Sequence, residues 1–160
     1  MKRILDWTVA PWAANLAAAP AGGAAEGRGD RVELDDAEWA RRLGPERYKV
    51  LRHEGTEPAF SSALNDEKRR GMFLCAGCGQ ALFASEAKFD SGTGWPSFFQ
   101  ALPGAVQTKR DFRLIWPRTE YHCARCGGHQ GHVFDDGPAP SGKRFCNNGV
   151  ALNFEATEGG

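Results

Sequence analysis

Cysteine accounts for the first chemistry legible in this chain. Cys75-Ala-Gly-Cys78 and Cys123-Ala-Arg-Cys126 are two matched C-x-x-C pairs, and Cys146 stands apart in Arg144-Phe145-Cys146-Asn147-Asn148. Two such pairs can turn four thiolates toward one tetrahedral zinc ion, a closed structural site with no position left for a substrate. Each pair is followed by a glycine, Gly79 or Gly127, where the tight turn of a metal knuckle needs positive φ. A single C-x-x-C pair also serves as a redox dithiol, and cysteines are often merely buried, but the repetition of pair and glycine favours the metal. His122, beside Cys123, could substitute as a ligand, but it reads rather as a strand-end histidine without a metal role. The fifth cysteine is then free to react.

In an extended strand, alternation puts Arg144, Cys146 and Asn148 on one face and Phe145 and Asn147 on the other. A guanidinium beside a thiol favours the thiolate, and Asn148 offers a donor and an acceptor. The plain alternative is that Cys146 is a small buried hydrophobe, the usual fate of a free cysteine. A second cluster, His129-Gln130-Gly131-His132-Val133-Phe134-Asp135-Asp136, could do acid–base work. It would equally suit a polar turn with one buried, hydrogen-bonded histidine. The third is Ser91-Gly92-Thr93-Gly94-Trp95-Pro96-Ser97-Phe98. Pro96 holds Trp95 extended, and a fixed indole makes a wall for a small apolar or sulfur-bearing group; the same residues would also serve as ordinary core.

The elements that must position these clusters fit one domain. A chain of 160 residues can bury a real core, and its 20 basic and 20 acidic residues cancel. With no basic excess to neutralise phosphates, nucleic acid is excluded as the default partner. An odd cysteine count argues against a fully paired disulfide framework, and the thiol-plus-metal reading fits a reducing compartment best. Twenty glycines, nine prolines, five tryptophans and ten phenylalanines point to turn-rich β structure over an aromatic core. Asp35 and Glu38 form a capping-box pattern, predicting a helix over 36–43 that buries Trp39 and Leu43 and stops at Gly44. Pro45 opens a second helix through Glu54, closed by Gly55, with Tyr48, Val50 and Leu51 inward. Strands are expected at 72–74, 81–83, 112–115, 132–134 and 145–154. The folded domain is therefore 34–156, preceded by a tail over 1–33 whose residues 22–30 read as a flexible linker. Lys2 and Arg3 before an Ala-rich run imitate an export signal, but Asp6, Pro11 and Asn15 interrupt its apolar stretch. The reading is a disordered tail on a cytoplasmic protein, with an exported, periplasmic protein carrying a signal remnant as the alternative. No stretch is long enough to span a membrane.

Taken together, the clusters resemble the methionine sulfoxide reductase B family. The likeness runs from about Asp36 to Phe154 on Ser91 to Phe98, Gly131-His132-Val133-Phe134-Asp135-Asp136-Gly137-Pro138 and Arg144-Phe145-Cys146-x-Asn148, with the two knuckles in family order. The resemblance implies a mainly β fold of two antiparallel sheets in a tent-like arrangement, short N-terminal helices and one structural zinc on Cys75, Cys78, Cys123 and Cys126. It implies thiol-dependent reduction of the R epimer of methionine sulfoxide, within proteins and more weakly free, for repair after oxidative stress. Cys146 would be the thiolate that becomes a sulfenic acid, kept ionised by Arg144. His132 and His129 would bind the oxygen and deliver its proton, Asp136 would orient them, and Asn148 would fix the oxygen or a histidine. Trp95 would hold the substrate methyl, with Phe134 also in substrate binding. Many members carry a resolving cysteine where this chain has Thr93. An external thiol such as thioredoxin, glutaredoxin or glutathione would then reduce Cys146 directly, in a monomer. Asn147 replaces the usual aliphatic residue, so Asn147→Val is expected to raise the melting temperature. The rival readings are a zinc-ribbon docking module and a cysteine hydrolase using Cys146 and His132.

Overall fold

A computed structural model describes residues 31–157; the linker and targeting expectations, and the tail apart from residues 31–33, lie outside the described residues. Helix α1 runs Asp36–His53. It starts where the Asp35 carboxylate accepts the Glu38 N–H at 2.8 Å, satisfying a donor that the first helical turn leaves open. Gly44 breaks it with φ 77° and ψ 168° and Pro45 restarts it, so the two expected helices follow one another across a kink. The stop differs by one residue from expectation. Glu54, not Gly55, takes the left-handed conformation, and the Gly55 N–H returns to the Lys49 carbonyl at 3.0 Å. Trp39, Val50 and Leu51 are buried, whereas Leu43 and Tyr48 are half-buried. Among the described residues no helix is long and apolar enough to cross a membrane.

Two antiparallel sheets follow. The smaller has the order β2-β1-β9, from β1 (Gly71–Cys75), β2 (Ala81–Ala84) and β9 (Leu152–Ala156). The larger has the order β3-β4-β8-β7-β6-β5. Its strands are β3 (Lys88–Phe89), β4 (Ser97–Phe98), β5 (Val106–Asp111), β6 (Arg118–Cys123), β7 (His129–Phe134) and β8 (Arg144–Asn147). Aromatic rings fill the space between the sheets. Phe83 of β2 stacks on Phe98 of β4 with centroids 4.1 Å apart, and Phe73 of β1 meets Phe98 edge-on at 4.9 Å. Tyr121 of β6 and Phe145 of β8 continue the cluster at 5.1 Å. Such pairs add to the burial of large apolar rings, so the sheets are pinned at β4 and β8, which carry two of the three sequence clusters.

Two strand expectations are corrected. Residues 112–115 are loop: β5 and β6 last pair at Asp111 and Arg118. There the Asp111 carboxylate accepts the Arg113 N–H at 3.0 Å and its Nε–H at 3.1 Å, turning the chain out of the ladder. The run 145–154 is also not one strand. β8 ends at Asn147, a 3-10 turn spans Gly149–Ala151, and β9 joins the other sheet. The turn is held by the buried Glu57 carboxylate, which accepts N–H groups of Gly149 at 2.6 Å and Val150 at 3.0 Å.

The expectation for Asn147 is overturned as well. Asn147 is fully buried, and its amide is satisfied on both sides. Its oxygen accepts the Tyr121 hydroxyl at 2.6 Å, and its nitrogen donates to Gln130 Oε1 at 3.0 Å and the Asn148 carbonyl at 2.9 Å. A valine would strand the Tyr121 hydroxyl in the interior, so the substitution destabilises.

Candidate active site and metal centre

The two knuckles meet. Cys75 Sγ lies 3.6 Å from Cys126 Sγ, Cys78 Sγ lies 3.6 Å from Cys123 Sγ, and the four sulfurs all fall within 4.8 Å of one another. Four thiolates around zinc, each at about 2.3 Å, would stand roughly 3.8 Å apart, so the set fits a tetrahedral thiophilic ion. Gly79 and Gly127 take φ of 83° and 77°, and each returns its N–H to the carbonyl of the first cysteine of its knuckle at 2.8 Å. Donors also face the sulfurs: Gly77 N–H reaches Cys75 Sγ at 3.3 Å, and the Arg125 and Gly128 N–H groups reach Cys123 and Cys126 Sγ at 3.4 Å. Donors of this kind suit thiolates. Helix α1 is fastened here, because Arg52 lies over the Trp39 ring at 4.6 Å and donates to the Cys126 carbonyl at 2.9 Å.

Cys146 lies elsewhere, in a cleft of about 240 Å³. Strand pairing sets its neighbours: Cys146 is opposite Ser97 on β4 and opposite His132 on β7. Gly131 makes that approach possible, since a Cβ there would come within 1.9 Å of the Cys146 carbonyl oxygen. Trp95, His132, Phe134, Arg144, Cys146 and Asn148 all line the cleft, with Thr56, Thr93, Gly131 and Arg118. The indole is fixed by its Nε1–H, which donates to the Glu57 carbonyl at 3.0 Å. Behind Cys146 runs a line of hydroxyls. Ser97 donates to the Trp95 carbonyl at 3.1 Å and lies 2.7 Å from Ser91, which lies 2.9 Å from Thr93, and Thr93 favours the ionised form of Cys146.

Two residues expected in the cleft stand outside its lining. His129 is buried behind His132, ring centroids 5.6 Å apart. Its Nδ1 bonds Glu120 at 2.7 Å, and its Nε2 is buried without a hydrogen-bond partner. Asp136 is exposed and orients Arg144 rather than a histidine, accepting Nε–H at 2.8 Å and an Nη2–H at 3.1 Å. Arg144 also lies 4.5 Å from the Phe134 ring centroid. Asn148 does line the cleft, but its amide is engaged with the main chain: the oxygen accepts the Glu57 N–H at 2.9 Å and the nitrogen donates to the Gln130 carbonyl at 3.0 Å.

The carboxylates that orient the histidines are Asp111 and Glu120, neither of them visible in a motif. Asp111 Oδ2 lies 2.8 Å from His132 Nε2. The Arg113 guanidinium holds Asp111 well below the usual carboxylate range, with His132 assisting against burial. An ionised carboxylate only accepts, so His132 carries its hydrogen on Nε2, leaving Nδ1 as the exchangeable position. Burial would push Glu120 up, but His122 and His129 outweigh it and hold it at about 2. Glu57 is the third residue missed. Its carboxylate holds the turn after β8 and its main chain holds both Trp95 and Asn148.

The Cys146 thiol and the His132 imidazole are shifted in opposite directions. Burial pushes the Cys146 thiol up, against the pull of Arg144 and Thr93. Burial pushes His132 down, against Asp111, with Arg118 adding to the burial. Arg144 therefore acts in the expected sense, but burial exceeds it, and the two shifts favour a thiol beside a neutral imidazole.

Comparison with known proteins bears on all of this. Residues 43–156 match the SelR domain. The chain is 52% identical over 130 residues to a peptide methionine sulfoxide reductase MsrB of Methanosarcina barkeri, covering 81% of this chain and 92% of that one. It is 46% identical over 125 residues to the Leptospira interrogans protein of the same name, covering 78% and 95%. Against peptide methionine sulfoxide reductase B1, chloroplastic, of Arabidopsis thaliana it is 48% identical over 128 residues, covering 79% and 63%.

Proposed function

Because the chain belongs to the methionine sulfoxide reductase B family, we propose that it reduces methionine R-sulfoxide in proteins at Cys146, through a sulfenic acid that external thiols reduce. It is a peptide-methionine (R)-S-oxide reductase, acting on protein substrates with a thiol reductant. The observation that carries the site assignment is the single cleft in which Trp95, His132 and Cys146 converge.

A sulfoxide sulfur is a poor electrophile until its oxygen gains a proton. With the substrate methyl against Trp95, the sulfoxide sulfur faces Cys146 and its oxygen faces His132. The thiol proton passes by way of His132 to the oxygen, so thiolate and protonated sulfoxide arise together. Cys146 then takes the hydroxyl: the substrate S–O bond breaks, an S–O bond forms on Cys146, and two electrons pass from the cysteine sulfur to the methionine sulfur. Methionine leaves as a thioether. One external thiol attacks the sulfenic sulfur and water departs; a second thiol releases Cys146 and carries away a disulfide. The five cysteines of the chain are the four of the cluster and Cys146, and Thr93 occupies the position beside the nucleophile. Cys75, Cys78, Cys123 and Cys126 would hold one zinc ion, which supplies a cross-link between the knuckles and no reacting group.

The test is to give the reduced protein methionine R-sulfoxide without reductant but with a sulfenic-acid trap, and to measure intact mass. One adduct on Cys146 with about one methionine formed per chain is expected. Methionine formed with loss of two hydrogens and no adduct would replace external reduction with a disulfide to a cluster cysteine. No methionine at all would remove the assignment of Cys146.

A further inference from the structure

Five large apolar side chains stand exposed among the described residues: Phe60 at 74%, Phe112 at 71%, Leu114 at 57%, Ile115 at 92% and Trp116 at 80%. Four of these five fall in one stretch of five residues, the loop between β5 and β6. A concentration of aromatic and aliphatic surface is unfavourable in water unless something covers it, and marks an interaction site. The loop is not slack. Arg113, its one charged residue, bonds Asp111 and reaches the Glu54 carbonyl at 3.4 Å and the Glu54 carboxylate at 3.6 Å along the surface. The charge is thereby spent on bracing the loop while the apolar side chains face out.

The roots of the loop belong to the cleft. At one end Asp111 holds His132 Nε2 at 2.8 Å. At the other, Arg118 bonds Asp111 at 3.2 Å and lines the cleft itself. The brace at Glu54 is two residues before Thr56, another lining residue. A methionine sulfoxide that enters the cleft as part of a polypeptide must leave its main chain across the rim, and its sequence neighbours then meet the loop at that rim. We infer that Phe112, Leu114, Ile115 and Trp116 bind large apolar side chains next to the oxidised methionine, so that the enzyme selects sulfoxides in apolar segments of polypeptide. This rests on the reading of the cleft given above and adds to it a specificity-determining surface. Apolar segments are normally buried, so the preferred substrates are chains that expose them through unfolding or local opening.

The experiment compares two peptides, each with one methionine R-sulfoxide, flanked by leucine and phenylalanine in one and by serine and glycine in the other. N-acetyl methionine R-sulfoxide, which has no flanks, is the third substrate. The wild-type protein is expected to favour the apolar peptide by about tenfold in kcat/KM, carried by KM, the effect of one well-buried apolar contact. The triple variant Leu114→Ser, Ile115→Ser, Trp116→Ser should lose that preference while reducing the N-acetyl compound at the wild-type rate. An equal rate on both peptides by the wild type, or a preference that survives in the variant, overturns the inference. So does a wild-type dimer that the variant dissolves, or binding of phosphatidylcholine vesicles that the variant loses, when either comes without a peptide preference. Failure of both proteins on the N-acetyl compound would instead count against the reading of the cleft. Should the triple variant not fold, Trp116→Ser alone and a KM ratio for the two peptides decide the matter in the same way.

Discussion

The molecule uses cysteine twice, and the two regions share little beyond the side chain. At the knuckles the four sulfurs crowd within 4.8 Å and backbone N–H groups close around them. At β8 a single sulfur stands between a guanidinium, a hydroxyl and an imidazole, on the wall of an open cleft. One environment suits four thiolates gathered around an ion, and in the other burial outweighs Arg144 and pushes one thiol up. Sulfur chemistry here is decided by neighbours rather than by residue type.

Exchanging a cysteine in each region should break the two halves apart. Cys146→Ser is expected to abolish turnover, by at least about a thousandfold, while leaving the melting temperature and bound zinc unchanged. Cys126→Ser should do the reverse first: zinc is lost and cooperative unfolding with it, and activity falls because the fold does. Metal content and thermal unfolding of both proteins check the pair; a stable, metal-free Cys126→Ser enzyme would erase the distinction.

The regions are nevertheless joined, and Asn147→Val cuts the joint. Gln130 donates to Cys75 Sγ at 3.4 Å from one end of its amide and accepts from Asn147 at the other. Losing the Asn147 amide leaves the Tyr121 hydroxyl and one end of Gln130 unpaired in the interior. A destabilisation of roughly 2–4 kcal/mol is expected, read as a fall in the midpoint of urea unfolding. The smallest effect concerns the charge at the cleft alone. Arg144→Met should raise the Cys146 thiol further, because the Arg144 charge pulls against burial. Alkylation by iodoacetamide should then slow at a fixed pH of about 8, with full rate recovered only at higher pH. Unchanged alkylation would show that burial alone sets the thiol.

The features legible in the chain were local ones. Both knuckles, their positive-φ glycines, the kink at Gly44 and the strand bearing Cys146 each depend on residues within a few positions, which is the range over which turn chemistry and capping act. The partners of the site are not local. Asp111 lies 21 residues from His132, Glu120 lies 9 from His129, and Glu57 lies 92 from Gly149. Sheet pairing brings the first two together, and the Glu57 carboxylate reaches the 3-10 turn from a loop. Asp136 was placed with the histidines because it follows them in sequence, but the turn after β7 carries it back to Arg144, 8 residues on. The segment 112–115 misled for a different reason. An apolar run has the same composition whether it is buried as a strand or displayed as a loop, and the deciding interaction, Arg113 folding onto Asp111, is one of side chain to side chain.

The order of the cysteines along the chain bears on how the protein is made. In synthesis from the N-terminus, Cys126 completes the cluster twenty residues before Cys146 is added. The Glu57 clasp on Gly149 and Val150 comes later still. A chain cut short after Cys126 would therefore carry every metal ligand and lack both the nucleophile and the strand that closes the smaller sheet.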